Sequence, residues 1–248
     1  NAIIGLAEEW TGPGANIGAW ATSTSVNTGR TDVEGAGSSA EAALIFGGSI
    51  PGTGVVDNTE LWDGSTWTEV NDMNTARNGF AGNGTSTSAL GYGQDDPARS
   101  AITESWNGTN WTEVGDLNTA KRALQGAGAD NTSALSFGGE SASADNEVKT
   151  ESWNGSSWTE VNDMNTGRSH LPGTGIITAG IAIGGRVTPP NALQSVVEQW
   201  NGTNWTEVGD LNTARYSMFA SKFNYADSFI GGGQTPSSVT NTEIWDGI

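Results

Sequence analysis

The sequence has no cysteine, a single histidine (His170) and ten basic residues against twenty-eight acidic ones in 248. Without cysteine there is neither a disulfide framework nor thiolate chemistry, and redox usage says nothing of compartment. A formal charge of −18 repels phosphate backbones and anionic membrane surfaces, so nucleic acid is a poor partner. Apolar runs are short. Nothing approaches the roughly twenty residues of a membrane span, and the opening Asn-Ala-Ile-Ile-Gly-Leu lacks the basic flank of a secretory leader. A first residue Asn1 in place of methionine points to processing or to a longer parent chain.

What is present is a repeat. All eleven tryptophans fall on the frame Glu-x-Trp-(Asn/Asp)-Gly-x-x-Trp-Thr-Glu-Val-x-Asp-(Leu/Met)-Asn-Thr-(Ala/Gly)-(Arg/Lys). Trp62, Trp106, Trp153, Trp200 and Trp245 mark one position at intervals of 44, 47, 47 and 45 residues, and Trp67, Trp111, Trp158 and Trp205 each follow five residues later. A period of about 40–50 residues punctuated by Gly and Trp denotes propeller blades. The expected fold is therefore an all-β, five-bladed β-propeller with four-stranded blades.

Residues 119–161 serve as a specimen blade. The small, Gly-rich stretch 119–128 suits an innermost strand where backbones crowd a channel. Residues 132–139 alternate into a hydrophobic second strand that ends on a diglycine, Glu151–Gly155 reads as the third strand with its turn, and Trp158–Val161 reads as the fourth. Asn-Gly or Asp-Gly between short aromatic strands signals a type I′ hairpin, which needs positive φ at both central residues. The flanking tryptophans would each bury ~150–250 Å² between blades in place of one central core.

Inner strands are expected to start at Thr28, Thr75, Thr119, Thr166 and Thr213, each eight residues after Trp20, Trp67, Trp111, Trp158 or Trp205. Blade repeats then run about 28–70, 75–114, 119–161, 166–208 and 213–248. Third-strand signatures number six if Glu8-Glu9-Trp10 is included, so one is surplus. The expectation is that the C-terminal strands form the first three of the closing blade and that residues 17–26, with Trp20, supply its fourth, which removes exposed sheet edges. Residues 1–15 would be an arm free for homo-oligomer contacts, or a remnant of an upstream region, preceding a domain of 16–248. In the alternative, Trp10 takes the ring position and Trp245 is displaced.

The diglycine after the second strand, the aromatic third strand and the Trp five residues later resemble Kelch repeats. More narrowly, Thr-Glu-Ser-Trp-Asn-Gly-Thr-Asn-Trp-Thr-Glu-Val-Gly-Asp-Leu-Asn-Thr-Ala-Lys resembles the repeat arrays of marine bacteriophage tail-fibre and other virion structural proteins, over nearly the whole chain. Gln94 in place of a second glycine, Thr22 in place of the repeat Glu and the stretched copy at Trp10 depart from the pattern. The resemblance implies a virion or extracellular location and a non-enzymatic role. Kelch-like propellers include copper radical oxidases, but that centre needs several histidines and a Cys-Tyr crosslink, which this composition excludes. Asp63-Gly-Ser-Thr-Trp67 resembles a sialidase Asp-box turn with one residue missing.

The carboxylates Glu60, Glu104, Glu151 and Glu198, and Glu69, Glu113, Glu160 and Glu207, recur once per blade as structural partners do, whereas a catalytic pair is asymmetric. Five of the ten basic residues share one frame position: Arg30, Arg77, Lys121, Arg168 and Arg215. Two readings stand for this candidate ring at the channel mouth: pairing with turn carboxylates Asp72, Asp116, Asp163 and Asp210, or a site for an anion or acidic sugar. Asp72/Asn74, Asp116/Asn118, Asp163/Asn165 and Asp210/Asn212 form Asx-type turns or, with further oxygen ligands, would hold Ca²⁺; no other cofactor is implied.

The loops between second and third strands, Ser49–Asn58, Asp95–Ile102, Glu140–Lys149, Arg186–Val196 and Gln234–Asn241, are where blades differ, on the same face as the fourth-to-first connections. A constant scaffold with variable loops on one face is how a propeller displays a binding surface. The expected function is host-surface or glycan attachment through that face. The alternatives are an architectural protein binding neighbouring virion subunits and a secreted carbohydrate-binding or carbohydrate-active propeller.

Overall fold

The computed structural model describes residues 8–9, 21–95, 98–143, 145–221, 228–245 and 247. They form small antiparallel sheets arranged as a five-bladed β-propeller, with no helix among the described residues. Blade 1 comprises Glu34–Ser39, Ala42–Phe46, Thr59–Trp62 and Trp67–Glu69; blade 2, Ala81–Thr85, Ser88–Gln94, Ser100–Trp106 and Trp111–Glu113. Blade 3 comprises Gln125–Asp130, Ser133–Phe137, Thr150–Trp153 and Trp158–Val161; blade 4, Gly173–Ile176, Ala179–Ile183, Val197–Trp200 and Trp205–Glu207. Blade 5 has Phe219–Ala220, Ser228–Gly231 and Thr242–Trp245. Strands pair in chain order from the centre outward, and the inner strands of blades 1–4 converge on a narrow cavity lined by Gly35, Asn83, Gly126 and Thr174.

The two tryptophans of each repeat do different work. The third-strand indole caps its own blade: Trp62, Trp106, Trp153 and Trp200 donate Nε1–H to carbonyls of the first-to-second turn at 2.7–3.0 Å. The fourth-strand indole staples the preceding blade. Trp111 packs on Phe46, Trp158 on Tyr92 and Trp205 on Phe137 with ring centroids 4.8, 4.9 and 5.0 Å apart. The same indoles donate to Thr59, Thr103 and Thr150 Oγ1 at 3.0, 3.0 and 2.9 Å. The core is accordingly one apolar cluster per seam rather than a single centre. Glycine on the inner strands permits this approach: a Cβ on Gly173 would lie 2.5 Å from Phe137 Cζ.

Several expectations are corrected. The inner strands start later than the threonines, at Glu34, Ala81, Gln125, Gly173 and Phe219. The preceding residues carry the chain from the periphery back to the centre and turn it through a left-handed residue, as at Ala123 (φ 48°). The outer hairpins are not type I′. Trp62 pairs with Trp67 and Trp106 with Trp111, which leaves four residues in the loop. Only the glycine is left-handed there (Gly64 φ 93°, Gly108 φ 92°), and the Asp or Asn side chain organises the turn, Asp63 Oδ1 accepting from the N–H groups of Ser65 and Thr66. Those bonds hold the exposed Asp63 carboxyl down at about 2.

At the closing blade, Thr242–Trp245 pairs with Ser228–Gly231, and among the described residues nothing pairs with its outer edge. Ala21–Thr22, expected there, pairs instead with Glu8–Glu9 in the register Glu8↔Thr22. The local partner closes a loop of about a dozen residues, against more than 200 for the distant one, and loop-closure entropy favours it. Trp20, and all of the arm 1–15 except Glu8 and Glu9, lie outside the described residues. Between blades 4 and 5 a cleft of about 80 Å³ is lined by Ile181, Ile183, Val197, Leu211, Ile230 and Trp245. Ile183 and Val197 occupy the positions of Phe137 and Thr150 in blade 3, which receive the fourth-strand indole of Trp205; among the described residues no fourth-strand indole lies against Ile183 and Val197.

Candidate functional site

The structure takes the five repeated cations out of contention as an open ring. Arg77, Lys121, Arg168 and Arg215 are fully buried and Arg30 is 8% exposed. Each pairs with the third-strand glutamate of its own blade, not with a turn aspartate: Arg30 with Glu60 at 2.6 Å, Arg77 with Glu104, Lys121 with Glu151 at 3.5 Å, Arg168 with Glu198, and Arg215 with Glu243 at 2.6 Å. The glutamate also accepts backbone N–H groups, as Glu104 does from Asn74 at 2.7 Å and Thr75 at 3.1 Å. It fixes the segment that leads into the blade. Burial pulls the Arg77 and Arg168 guanidiniums and the Lys121 ammonium below their ordinary values, and the paired glutamates oppose this. These are structural ion pairs with no face left for a solute.

The turn residues have other partners too. Asp72 Oδ1 accepts from Thr59 N at 3.1 Å and Asp116 Oδ1 from Thr103 N at 3.2 Å, while Asn74 and Asn118 Nδ2 donate to Glu104 and Glu151. Among the described residues no group of three or more His, Asp or Glu side chains is placed to hold a metal ion.

The asymmetric chemistry lies one residue further along. In each blade the residue after the repeated cation meets the residue after the diglycine: Thr31 and Ser49, Asn78 and Asp95, Arg122 and Glu140, Ser169 and Arg186, Tyr216 and Gln234. The next residue is left-handed in every blade, at Asp32, Gly79, Ala123, His170 and Ser217 (φ 48–57°). These turns are strung together around the mouth by backbone bonds, Ser217 N to His170 O, His170 N to Ala123 O and Ala123 N to Gly79 O, at 2.8–2.9 Å. The scaffold thus presents blade-specific side chains on a rigid rim.

Side chains join the rim from blade to blade. Asn78 Nδ2 donates to Ser49 Oγ at 2.9 Å, Arg122 to Asp95 Oδ1 at 2.6 Å, and Ser169 Oγ to Glu140 Oε1 at 3.1 Å. Glu140, 4% exposed, is the hub. Arg122 Nε donates to it at 2.8 Å, and Arg99, Arg186 and His170 approach it at 3.6, 3.7 and 3.8 Å. Burial alone would raise the Glu140 carboxyl, but Arg122 and Ser169 hold it below its ordinary value. On a strongly acidic chain, three guanidiniums and the one histidine gather at a single carboxylate.

Ser169, His170 and Glu140 do not make a nucleophilic triad. Ser169 is fully buried and donates directly to Glu140. His170 Nδ1 lies 3.1 Å from Ser169 Oγ, and with that hydroxyl's proton on Glu140 the pattern puts the imidazole proton on Nδ1 and leaves Nε2 to accept from Arg186 at 3.4 Å. Burial first, then the Arg186 charge, holds His170 below its ordinary 6.5, against Glu140 and Asp95. Above pH 6.5 the ring is neutral both folded and unfolded. As pH falls through that value the unfolded chain takes up a proton that the folded site refuses, so stability declines. The His170 ring signals are expected to titrate with a midpoint below 6.5, and H170N to flatten the denaturation profile between about pH 7 and 5.5; a midpoint at or above 6.5 would contradict this environment.

Sequence reasoning located the loops that begin at Ser49, Asp95, Glu140, Arg186 and Gln234 but did not connect Arg99, Arg122, Glu140, His170, Arg186 and Tyr216 as a group. The available signal was that the position after each repeated cation changes chemistry in every blade: Thr31, Asn78, Arg122, Ser169, Tyr216. No known family model matches the chain. No curated protein matches it in sequence either.

Proposed function

We propose that this propeller is a non-enzymatic binding module that attaches to a cell-surface glycan through the face around the channel mouth, as part of a virion appendage such as a tail fibre. The observation that carries the reading is the contrast between an almost invariant scaffold, with the same ion pair and indole staples in successive blades, and a mouth whose side chains differ in each. The Kelch-like frame and its phage-like wording support the same role. A chain without cysteine allows a clean test, because one introduced thiol can be labelled alone. A bulky polyethylene glycol maleimide on Asp145→Cys, exposed beside the Glu140 hub, is expected to abolish binding to a glycan array and to host cells. The same label on Thr109→Cys, on an outer hairpin, is expected to leave binding intact. No binding by the unlabelled chain, or blockade from Thr109 alone, would sink the reading.

A second reading, an architectural subunit that packs against a neighbour, draws support from blade 5. Phe219 (56%) and Ile244 (79%) are the exposed large hydrophobics of the described residues, and both belong to that blade.

A further inference from the structure

The rim follows a donor-to-acceptor order that breaks on both sides of blade 5: Thr31 Oγ1 turns to Asp32, and Gln234 accepts from Tyr216 of its own blade. At three successive seams the residue after the repeated cation donates to the residue after the preceding diglycine: Asn78 to Ser49, Arg122 to Asp95, Ser169 to Glu140. Between blades 4 and 5 the acceptor position holds Arg186, which can only donate. Its counterpart Tyr216 sends its own hydroxyl proton to Gln234 Oε1 at 2.6 Å and offers Arg186 a ring face, the guanidinium carbon lying 5.2 Å from the ring centroid. Arg186 Nε is buried without a partner, and its other polar neighbours are distant, His170 Nε2 at 3.4 Å and Glu140 at 3.7 Å. One quarter of the side chain is open to solvent. The guanidinium thus lies over the Tyr216 ring, partly open to solvent, with only distant polar partners.

We propose that the solvent-open part of the Arg186 guanidinium anchors a carboxylate-binding site at the channel mouth, and that the ligand is an acidic sugar. The sugar rests on the glycan-binding reading above; the carboxylate rests on the rim geometry. A planar monoanion matches the guanidinium fork. A phosphate dianion fits poorly here, because Glu140 flanks the site and the chain as a whole carries −18. Arg122 does not compete, since Asp95 and Glu140 occupy its donors at 2.6 and 2.8 Å.

Titration of the ¹⁵N-labelled full chain with glucuronate, observed at the Arg186 Nε–Hε and His170 ring signals, tests the site. Glucuronate is expected to shift both saturably, while glucose and inorganic phosphate at matched ionic strength do not. Arg186→Gln is expected to abolish the His170 shift and Arg186→Lys to weaken it severalfold, with the tryptophan indole spectrum reporting that each variant is folded. A flat glucuronate titration, an equal response to phosphate, or a His170 shift that survives Arg186→Gln overturns the proposal. If the array binding blocked at Asp145→Cys persists while the glucuronate titration is flat, the binding face stands and this site alone falls. If glucuronate shifts Arg186 while the array is blank, the site stands and glycan attachment falls.

Discussion

Glu104→Ala is expected to destabilise the protein by about 3–5 kcal/mol in chemical denaturation, a large part of the 5–15 kcal/mol typical of a folded domain. Arg77 and Glu104 have fully buried side chains, so removing the carboxylate leaves a guanidinium without its counter-charge in a medium that cannot solvate it. The substitution also strips acceptors from Asn74 N, Asn74 Nδ2 and Thr75 N. Those groups lie in the connection into blade 2, so the loss falls on the attachment of the blade as well as on its interior. Arg77→Met combined with Glu104→Leu should recover part of the loss, because it removes the stranded charge. It should not recover all of it, since the orphaned N–H groups remain. Glu243→Ala is the internal control. Its carboxylate is 17% exposed, so water can partly solvate what the substitution uncovers, and the cost should be smaller. A loss under about 1 kcal/mol for Glu104→Ala would show that the pair is dispensable.

The fold was legible because its determinants are local and periodic. Each fourth-strand tryptophan stands five residues after its third-strand partner, and the two end up cross-strand neighbours, as Trp153 and Trp158 do. Chemistry that depends on which blades touch was not legible. The frame sets each repeated cation a few residues from the preceding turn aspartate, which suggested that pairing; the true partner lies 27 to 30 residues downstream in all five blades. Burial decides the matter, and burial of an arginine leaves no periodic signature when its glutamate is one of three equally repeated acids. The type I′ expectation failed for a similar reason. The Asp-Gly and Asn-Gly dipeptides are real turn signals, but spacing between the paired tryptophans makes a four-residue loop, in which the first side chain does the work expected of a second left-handed residue. The rim around Glu140 is harder still: Arg99, Arg122, His170 and Arg186 come from three blades and meet only once the ring is assembled.

Trp158→Ala is expected to cost about 3–5 kcal/mol, and Trp67→Ala, at the same frame position, distinctly less. Trp158 is 5% exposed, lies against Tyr92 at 4.9 Å and donates to Thr103 Oγ1. Its removal would open a cavity between two rigid sheets and leave a buried hydroxyl short of a donor. Trp67 is half-buried, its described ring contact is Trp62 of its own blade, and its Nε1 has no partner. The frame names what that indole is missing. In a closed ring the threonine offered by the preceding blade is Thr242, which is exposed, where its equivalents Thr59, Thr103 and Thr150 are fully buried. The contrast at Val197 runs the other way: blade 4 lacks the hydroxyl that would receive an indole, and Val197 lines a cleft. The propeller is thus stapled firmly at the three seams between blades 1 and 4 and weakly on both sides of blade 5. Hydrogen exchange should find blade 5 opening with the lowest free energy and the inner strands of blades 2 and 3 with the highest. Equal losses for Trp67→Ala and Trp158→Ala, or uniform exchange across the blades, would mean that the seams on both sides of blade 5 are as tight as the others.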